Sequence, residues 1–139
     1  MSAPPDTTVE IRIPSDAEYV RIVRLAVAGI GARLKFPYDD IEDLKLAVSE
    51  ACNNAILHAT DLGGVVVRCT QTADCLEIEV RDQGAGFSAA VEARPPAEEL
   101  SENGLGLFLM QALMDEVAWE PTEGGGTRVN LKKRLPRCL

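Results

Sequence analysis

Basic residues are scarce in this chain: 14 lysines and arginines stand against 22 aspartates and glutamates in 139 residues, a net charge of −8. A domain with that balance repels nucleic-acid phosphates unless it gathers a basic patch, so direct DNA or RNA binding is disfavoured. The one local run of cations, LKKRLPR near the C-terminus, reads as a solvated tail. Histidine is scarcer still, with His58 alone, and the four cysteines, Cys52, Cys69, Cys75 and Cys138, show no CxxC spacing. These shortages argue against a zinc site and leave the thiols to be read as reduced, in a cytoplasmic protein. No run approaches the ~18 consecutive apolar residues of a membrane-spanning helix. The N-terminal MSAPPDTTVE lacks the basic and apolar regions of a secretory signal.

The remainder is ordinary for one soluble globular domain, 46% hydrophobic and 26% charged. Residues 1–8 read as a disordered lead-in, followed by a single domain over 9–135. Val9, Ile11 and Ile13 alternate as in a half-buried strand that Pro14 ends. Ser15 or Asp16 can cap a first helix carrying Val20, Val23 and Val27 at helical spacing, and Phe36-Pro37 breaks it. A second helix follows Asp39-Asp40 and runs to about Thr60. Val65, Val67 and Cys69, then Leu76, Ile78 and Val80, alternate on two strands of a hairpin. From about Gly84 to Asn103 regular signals fail, as in a lid, placed at about 88–103. A third helix is expected from about Gly104 to Asp115, then two strands around Val117–Trp119 and Val129–Leu131. The order β-α-α-β-β-α-β-β predicts an α/β two-layer sandwich: a mixed, mostly antiparallel sheet covered on one face by helices.

Four segments carry candidate chemistry. In LKLAVSEACNNAILHAT, Leu44, Val48, Ala51 and Ala55 make an apolar stripe, and Glu50, Asn54 and His58 form an i, i+4 row along its edge. A carboxylate there suits a general base, and a neutral amide oxygen suits Mg²⁺. In VRDQGAGFS, a strand ends at Asp82, and Gly84 and Gly86 permit close approach of backbone to ligand. An acid so placed can accept a hydrogen bond from an amino group such as that of adenine. In ENGLGLFLMQALMDEV, Gly104 and Gly106 open a helix whose free N–H groups can hold phosphate, although no Walker lysine is present. In EGGGTRVNL, a glycine turn brings Thr127 to the start of a strand, where its hydroxyl can reach the base through water. Taken singly, each segment is equally a packed amphipathic helix, a strand-end turn, a glycine hinge or a hairpin.

Their order along the chain resembles the ATP-binding domain of the GHKL superfamily, which includes gyrase, histidine kinases and MutL. More narrowly, VSEACNNAILHA, VRDQGAGF, GLGLFLM and LMDEV are similar to the anti-sigma serine-protein kinases of the RsbW and SpoIIAB type, from about Val9 to Leu131. The resemblance implies the Bergerat fold and an ATP- and Mg²⁺-dependent protein kinase. Glu50 would activate the attacking serine hydroxyl, and Asn54 would ligate the Mg²⁺ that bridges the ATP phosphates. Asp82 would read the adenine amino group, Gly84 and Gly86 would shape the pocket floor, and Gly104, Leu105 and Gly106 would give amides to the phosphates. His58 would lie near the phosphate end or serve packing.

The same resemblance implies partners. They are a STAS-domain anti-anti-sigma protein that is phosphorylated, an RNA-polymerase sigma factor that is sequestered in alternation with it, and a second copy in a homodimer. Arg21 on the first helix is the candidate partner contact. One departure stands out: the lid is acidic, and Asn103 occupies a position where some relatives carry a basic residue beside the γ-phosphate. The alternative reading is a non-catalytic nucleotide-binding module that only sequesters a protein partner.

Overall fold

Alternation of β-branched residues builds the sheet, and the two apolar helical stripes cover it. In the computed structural model, described over residues 7–58, 63–82, 100–121 and 126–136, five strands and three α-helices follow the expected order. Strand β1 spans Thr7–Ile13, and a 3₁₀ turn at Ala17–Tyr19 leads into α1, Val20–Arg33. Helix α2 is Tyr38–His58, and β2, Val65–Gln71, pairs with β3, Cys75–Asp82. Helix α3 runs Leu100–Leu113, before β4 at Glu116–Pro121 and β5 at Thr127–Arg134. The strand order is β1-β2-β3-β5-β4. All four pairings are antiparallel, so the mixed sheet of the sequence reading is here antiparallel throughout the described strands. No helix among the described residues is long and apolar enough to cross a membrane.

The two faces of the sheet differ sharply. Toward the helices stand Ile13, Val65, Val67, Cys69, Leu76, Ile78, Val80, Val129 and Leu131, all in one buried cluster with Val23, Val27, Leu44, Val48 and Met110 from the helices. Each fully buried aliphatic side chain in such a cluster contributes about 1.5–3 kcal/mol. The opposite face is a ladder of charges: Arg68 pairs with Glu10 at 2.8 Å, and Arg128 sits between Glu79 and Glu120. Asp16 caps the 3₁₀ turn by accepting from the Glu18 N–H at 2.9 Å, so of the two candidate caps the structure uses Asp16.

Helix α1 continues through Gly29 and Gly31 and stops in a Schellman motif. The Phe36 N–H bonds to the Gly31 carbonyl and the Lys35 N–H to the Ala32 carbonyl, with Lys35 at φ 67°. Phe36 is then buried, which anchors the turn into α2. Two expected boundaries shift. Thr7 and Thr8, placed in the lead-in by sequence, belong to β1: they pair with Gln71 and Thr70, and the hydroxyls of Thr8 and Thr70 lie 3.1 Å apart. Residues 100–103, assigned to the lid, form the first turn of α3. The rest of the expected lid lies outside the described residues.

Burial also disposes of the thiols. Cys52 is pushed up to about 12, first by desolvation and then by nearby Cys69, and burial pushes Cys69 up to about 11. Both stay neutral and inert near neutral pH. Cys52, Cys69 and Cys75 are free.

Gly64 closes the approach to β2 at φ +74°, and a Cβ on it would stand 2.5 Å from the Ile13 carbonyl oxygen. Backbone, not a flexible side-chain tip, blocks the space. Gly64→Ala is therefore expected to lower stability by about 2 kcal/mol or more, measured by chemical denaturation. A loss below about 0.5 kcal/mol contradicts this account of the turn.

Candidate functional site

Helix α2 lies at the centre of the helical layer, packed against α1, α3 and strands β2, β3 and β5. Leu44, Ala47, Val48, Ala51 and Cys52 are fully buried, which fixes the helix's rotation about its axis. With that face buried, the i, i+4 pair Glu50 and Asn54 lands on the flank toward α3 and the strand ends. Glu50 is half-buried, and Asn54 is only 7% exposed.

Asn54 is the unusual residue. Its amide nitrogen is buried and has no hydrogen-bond partner among the described residues. An orphaned amide of this kind costs about 1–3 kcal/mol relative to a satisfied or apolar side chain. Such groups persist where a ligand satisfies them.

Asp82 meets Asn54 in one pocket. It ends β3, opposite Val65 of β2, is buried, and its Oδ2 accepts the Thr127 backbone N–H at 3.2 Å. The sequence reading gave Thr127 a hydroxyl role toward the base; the structure adds a backbone bond that orients the carboxylate. The pocket is lined by Ala51, Asn54 and Ala55 of α2, Val80 and Asp82 of β3, Thr127 and Val129 of β5, and Trp119 of β4. Its volume is about 20 Å³, room for a water molecule and far short of a purine. None of these lining residues is cationic.

Helix α3 packs against α2 beside Glu50 and Asn54, and here the structure corrects the sequence. Gly104, Leu105 and Gly106 were expected at the helix start with free N–H groups, but α3 begins at Leu100. They are its fifth to seventh residues, beyond the four N–H groups that a helix leaves unpaired. The reason is that no proline or other strong stop precedes Gly104 within LSENGLGLFLMQAL, while Met110 is fully buried and holds the helix in place. Each glycine costs about 1 kcal/mol in a helix interior, which tertiary packing offsets. Gly106 also lies directly over the row on α2: a Cβ there would stand 2.7 Å from Glu50 Oε1 and 3.5 Å from Asn54 Nδ2.

Asn54, Asp82 and Thr127 thus line one recess, and Glu50 and Gly106 adjoin it beside Asn54. His58 ends α2, with its side chain outside the described residues. Gly84 and Gly86 lie outside them as well. Arg21 is exposed on α1 and does not line the pocket. Sequence reasoning missed Trp119 as a pocket residue; its alternation with Val117 on β4 was the available signal.

As for a metal, no group of three or more acidic, cysteine or histidine side chains converges among the described residues. A dedicated all-protein cage is therefore not built there. A single amide oxygen beside a carboxylate fits Mg²⁺, which keeps its waters and takes most other ligands from phosphates. A polyphosphate beside the Asp82 carboxylate of the recess and the adjoining Glu50, with no cation among the lining residues, would need such an ion to neutralise it.

Comparison with known proteins bears on the same segments. The family model for the histidine kinase-like ATPase domain matches residues 13–133. Serine-protein kinase RsbW of Bacillus velezensis is 45% identical over 127 residues, covering 84% of this chain and 79% of that one. RsbW of Halalkalibacterium halodurans is 42% identical over 139 residues, covering 94% and 85%. A crystal structure of the RsbU and RsbW domains of Rv1364c from Mycobacterium tuberculosis superposes with a TM-score of 0.67 at 26% identity. That match covers 95% of this chain, which spans 33% of the solved one.

Gly106→Ala separates stability from function. Alanine is about 1 kcal/mol better than glycine inside a helix, so the melting temperature is expected to hold or rise. The added methyl crowds Glu50 Oε1 and Asn54 Nδ2 and keeps the 104–106 amides in helical hydrogen bonds, so ATP affinity is expected to fall about fivefold by calorimetry. A lower melting temperature with undiminished ATP affinity contradicts this placement.

Proposed function

The chain belongs to the histidine kinase-like ATPase domain family, within it to the serine-protein kinases of the RsbW type, and on that premise we propose how its residues divide the work. The observation that carries the reading is the buried amide nitrogen of Asn54, without a partner among the described residues and set between Glu50 and the Asp82 pocket. ATP enters with its base toward Asp82, whose carboxylate accepts a hydrogen bond from the exocyclic amino group while the Thr127 N–H holds it in place. Asn54 would hold the Mg²⁺ through Oδ1, and its Nδ2, without a partner among the described residues, would donate to a phosphate oxygen. The ion supplies charge neutralisation along the phosphate chain.

Gly104, Leu105 and Gly106 contribute once the first turns of α3 unwind and free their N–H groups for the phosphates. A purine needs more room than the recess volume of about 20 Å³, so ATP binding in this reading requires the recess to open. The two glycines make the unwinding cheap, since they favour the helix least. Glu50, relieved of the helix above it, faces the incoming serine. It takes the hydroxyl proton as the seryl oxygen bonds to the γ-phosphorus and displaces ADP. Phosphoryl transfer depends mainly on positioning and charge neutralisation, and one base, one metal and a few amides suffice.

The protein substrate in this reading is a STAS-domain anti-anti-sigma protein, and the second partner is a sigma factor. Phosphorylation releases the first and leaves the kinase free to hold the second. The exposed Arg21 on α1 contacts a partner, α1 contributes to a homodimer, and the domain, expected over 9–135 and extended by Thr7 and Thr8 of β1, is that of a cytoplasmic protein. An acidic surface suits a basic segment of the sigma factor. Asn103, in place of a basic residue, leaves the γ-phosphate with one contact fewer and slows transfer.

Transfer of labelled γ-phosphate to the serine of such a substrate tests this directly. Glu50→Ala is expected to slow transfer by about two to four orders of magnitude while ATP affinity stays within about threefold of wild type. Transfer at the wild-type rate in the variant removes Glu50 from the role of base. ATP binding by the wild-type protein without transfer to any STAS-domain substrate favours the non-catalytic module.

A further inference from the structure

One large pocket side chain is used by no step above: Trp119, the only tryptophan in the chain. It lies on β4, which pairs with β5 at one end of the strand order, and its register partner is Val129. Val129 is buried against the helices, so the pairing turns Trp119 to the same face. Two residues earlier on that face, Val117 packs against the core, as an inward residue of an edge strand should. Trp119 instead remains 40% exposed and forms a wall of the recess that holds Asn54 and Asp82. An indole left open on one side offers a broad apolar surface and one N–H donor to whatever enters.

The other lining residues offer apolar surface for a flat ring once the recess opens beyond its volume of about 20 Å³. Val80 and Val129 form an apolar floor, and Ala51 and Ala55, one turn apart on α2, present only methyl groups. Asp82 supplies the polar contact at the strand end. We infer that Trp119 is a nucleotide-binding residue whose indole packs against the purine, so that Trp119 sets affinity while Asp82 sets the choice of base. The inference rests on the nucleotide site argued above. The division of labour follows from the chemistry. Every base offers a π-face, so an aromatic contact is indifferent to base identity, whereas a carboxylate acceptor discriminates an amino group from a carbonyl.

The experiment pairs calorimetric titration of ATP with the fluorescence of the single tryptophan in the full chain. Emission from the wild-type protein is expected to change saturably with ATP, with a midpoint equal to the calorimetric Kd. Trp119→Leu, which keeps apolar bulk and removes the aromatic face, is expected to weaken ATP and ADP alike, by about ten- to hundredfold. It should raise KM for ATP by far more than it lowers kcat. Trp119→Phe is expected to stay within about threefold of wild type, since a ring remains. Normal calorimetric binding with unmoved emission, or Trp119→Leu binding as tightly as wild type, overturns the inference and leaves the nucleotide site standing. No calorimetric binding by the wild-type protein overturns both. If Trp119→Leu does not fold, the fluorescence midpoint and the phenylalanine variant decide.

Discussion

Everything in the recess depends on how α2 is seated. Four of its side chains, Leu44, Ala47, Val48 and Ala51, are removed completely from solvent, and they repeat at the three- and four-residue spacing of one helical face. A rotation of α2 by one residue, about 100°, would expose that face and carry Asn54 away from Asp82. The functional row is therefore positioned by hydrophobic burial, which is non-directional, acting through helical periodicity, which is not. Asp82 is held separately, by its place at the end of β3 and by the Thr127 N–H from β5. The two halves of the site come from different layers of the sandwich, and each is fixed by ordinary packing.

Rigidity is unevenly distributed around that site. The sheet side is firm: five antiparallel strands, an aliphatic inner face and an outer face of alternating charge. The outer ion pairs, such as Arg68 with Glu10, contribute little stability individually, up to about 1 kcal/mol each. They do keep that face polar. On the opposite side, α3 enters with two glycines four and six residues after its start, a helix weakened where it covers Glu50. Asn54 adds a second local cost, a buried amide nitrogen without a partner among the described residues. A protein that stores such costs at a recess gains them back when a ligand completes the hydrogen bonds and charges there.

Much of this was legible in the chain. The apolar alternation of Val65–Cys69 and Leu76–Val80 determines a hairpin because one face must be buried. The stripe of Leu44, Val48 and Ala51 places Glu50 and Asn54 on a flank by geometry alone. Asp82 was legible as the polar end of an apolar strand. The start of α3 was not, because two glycines read locally as a hinge, while the packing of α3 on α2 through Met110 and Gly106 is tertiary and overrides that preference. Trp119 escaped for a related reason: alternation told its face, but which neighbours flank it depends on the order β3-β5-β4, a crossover no local pattern encodes. Thr7 and Thr8 look like tail residues until the partner strand at Thr70 and Gln71 is known.

In the proposed reading Asn54 holds Mg²⁺ and phosphate, and calorimetric titration of ATP with and without Mg²⁺, in wild type and Asn54→Ala, tests it most directly. The account predicts saturable binding strengthened by Mg²⁺ in the wild type. In Asn54→Ala it predicts loss of that Mg²⁺ dependence, in a protein at least as stable as wild type because an unsatisfied polar group has been removed. An Asn54→Ala protein that keeps the Mg²⁺-strengthened binding, or a wild type that binds no ATP at millimolar concentration, would contradict it.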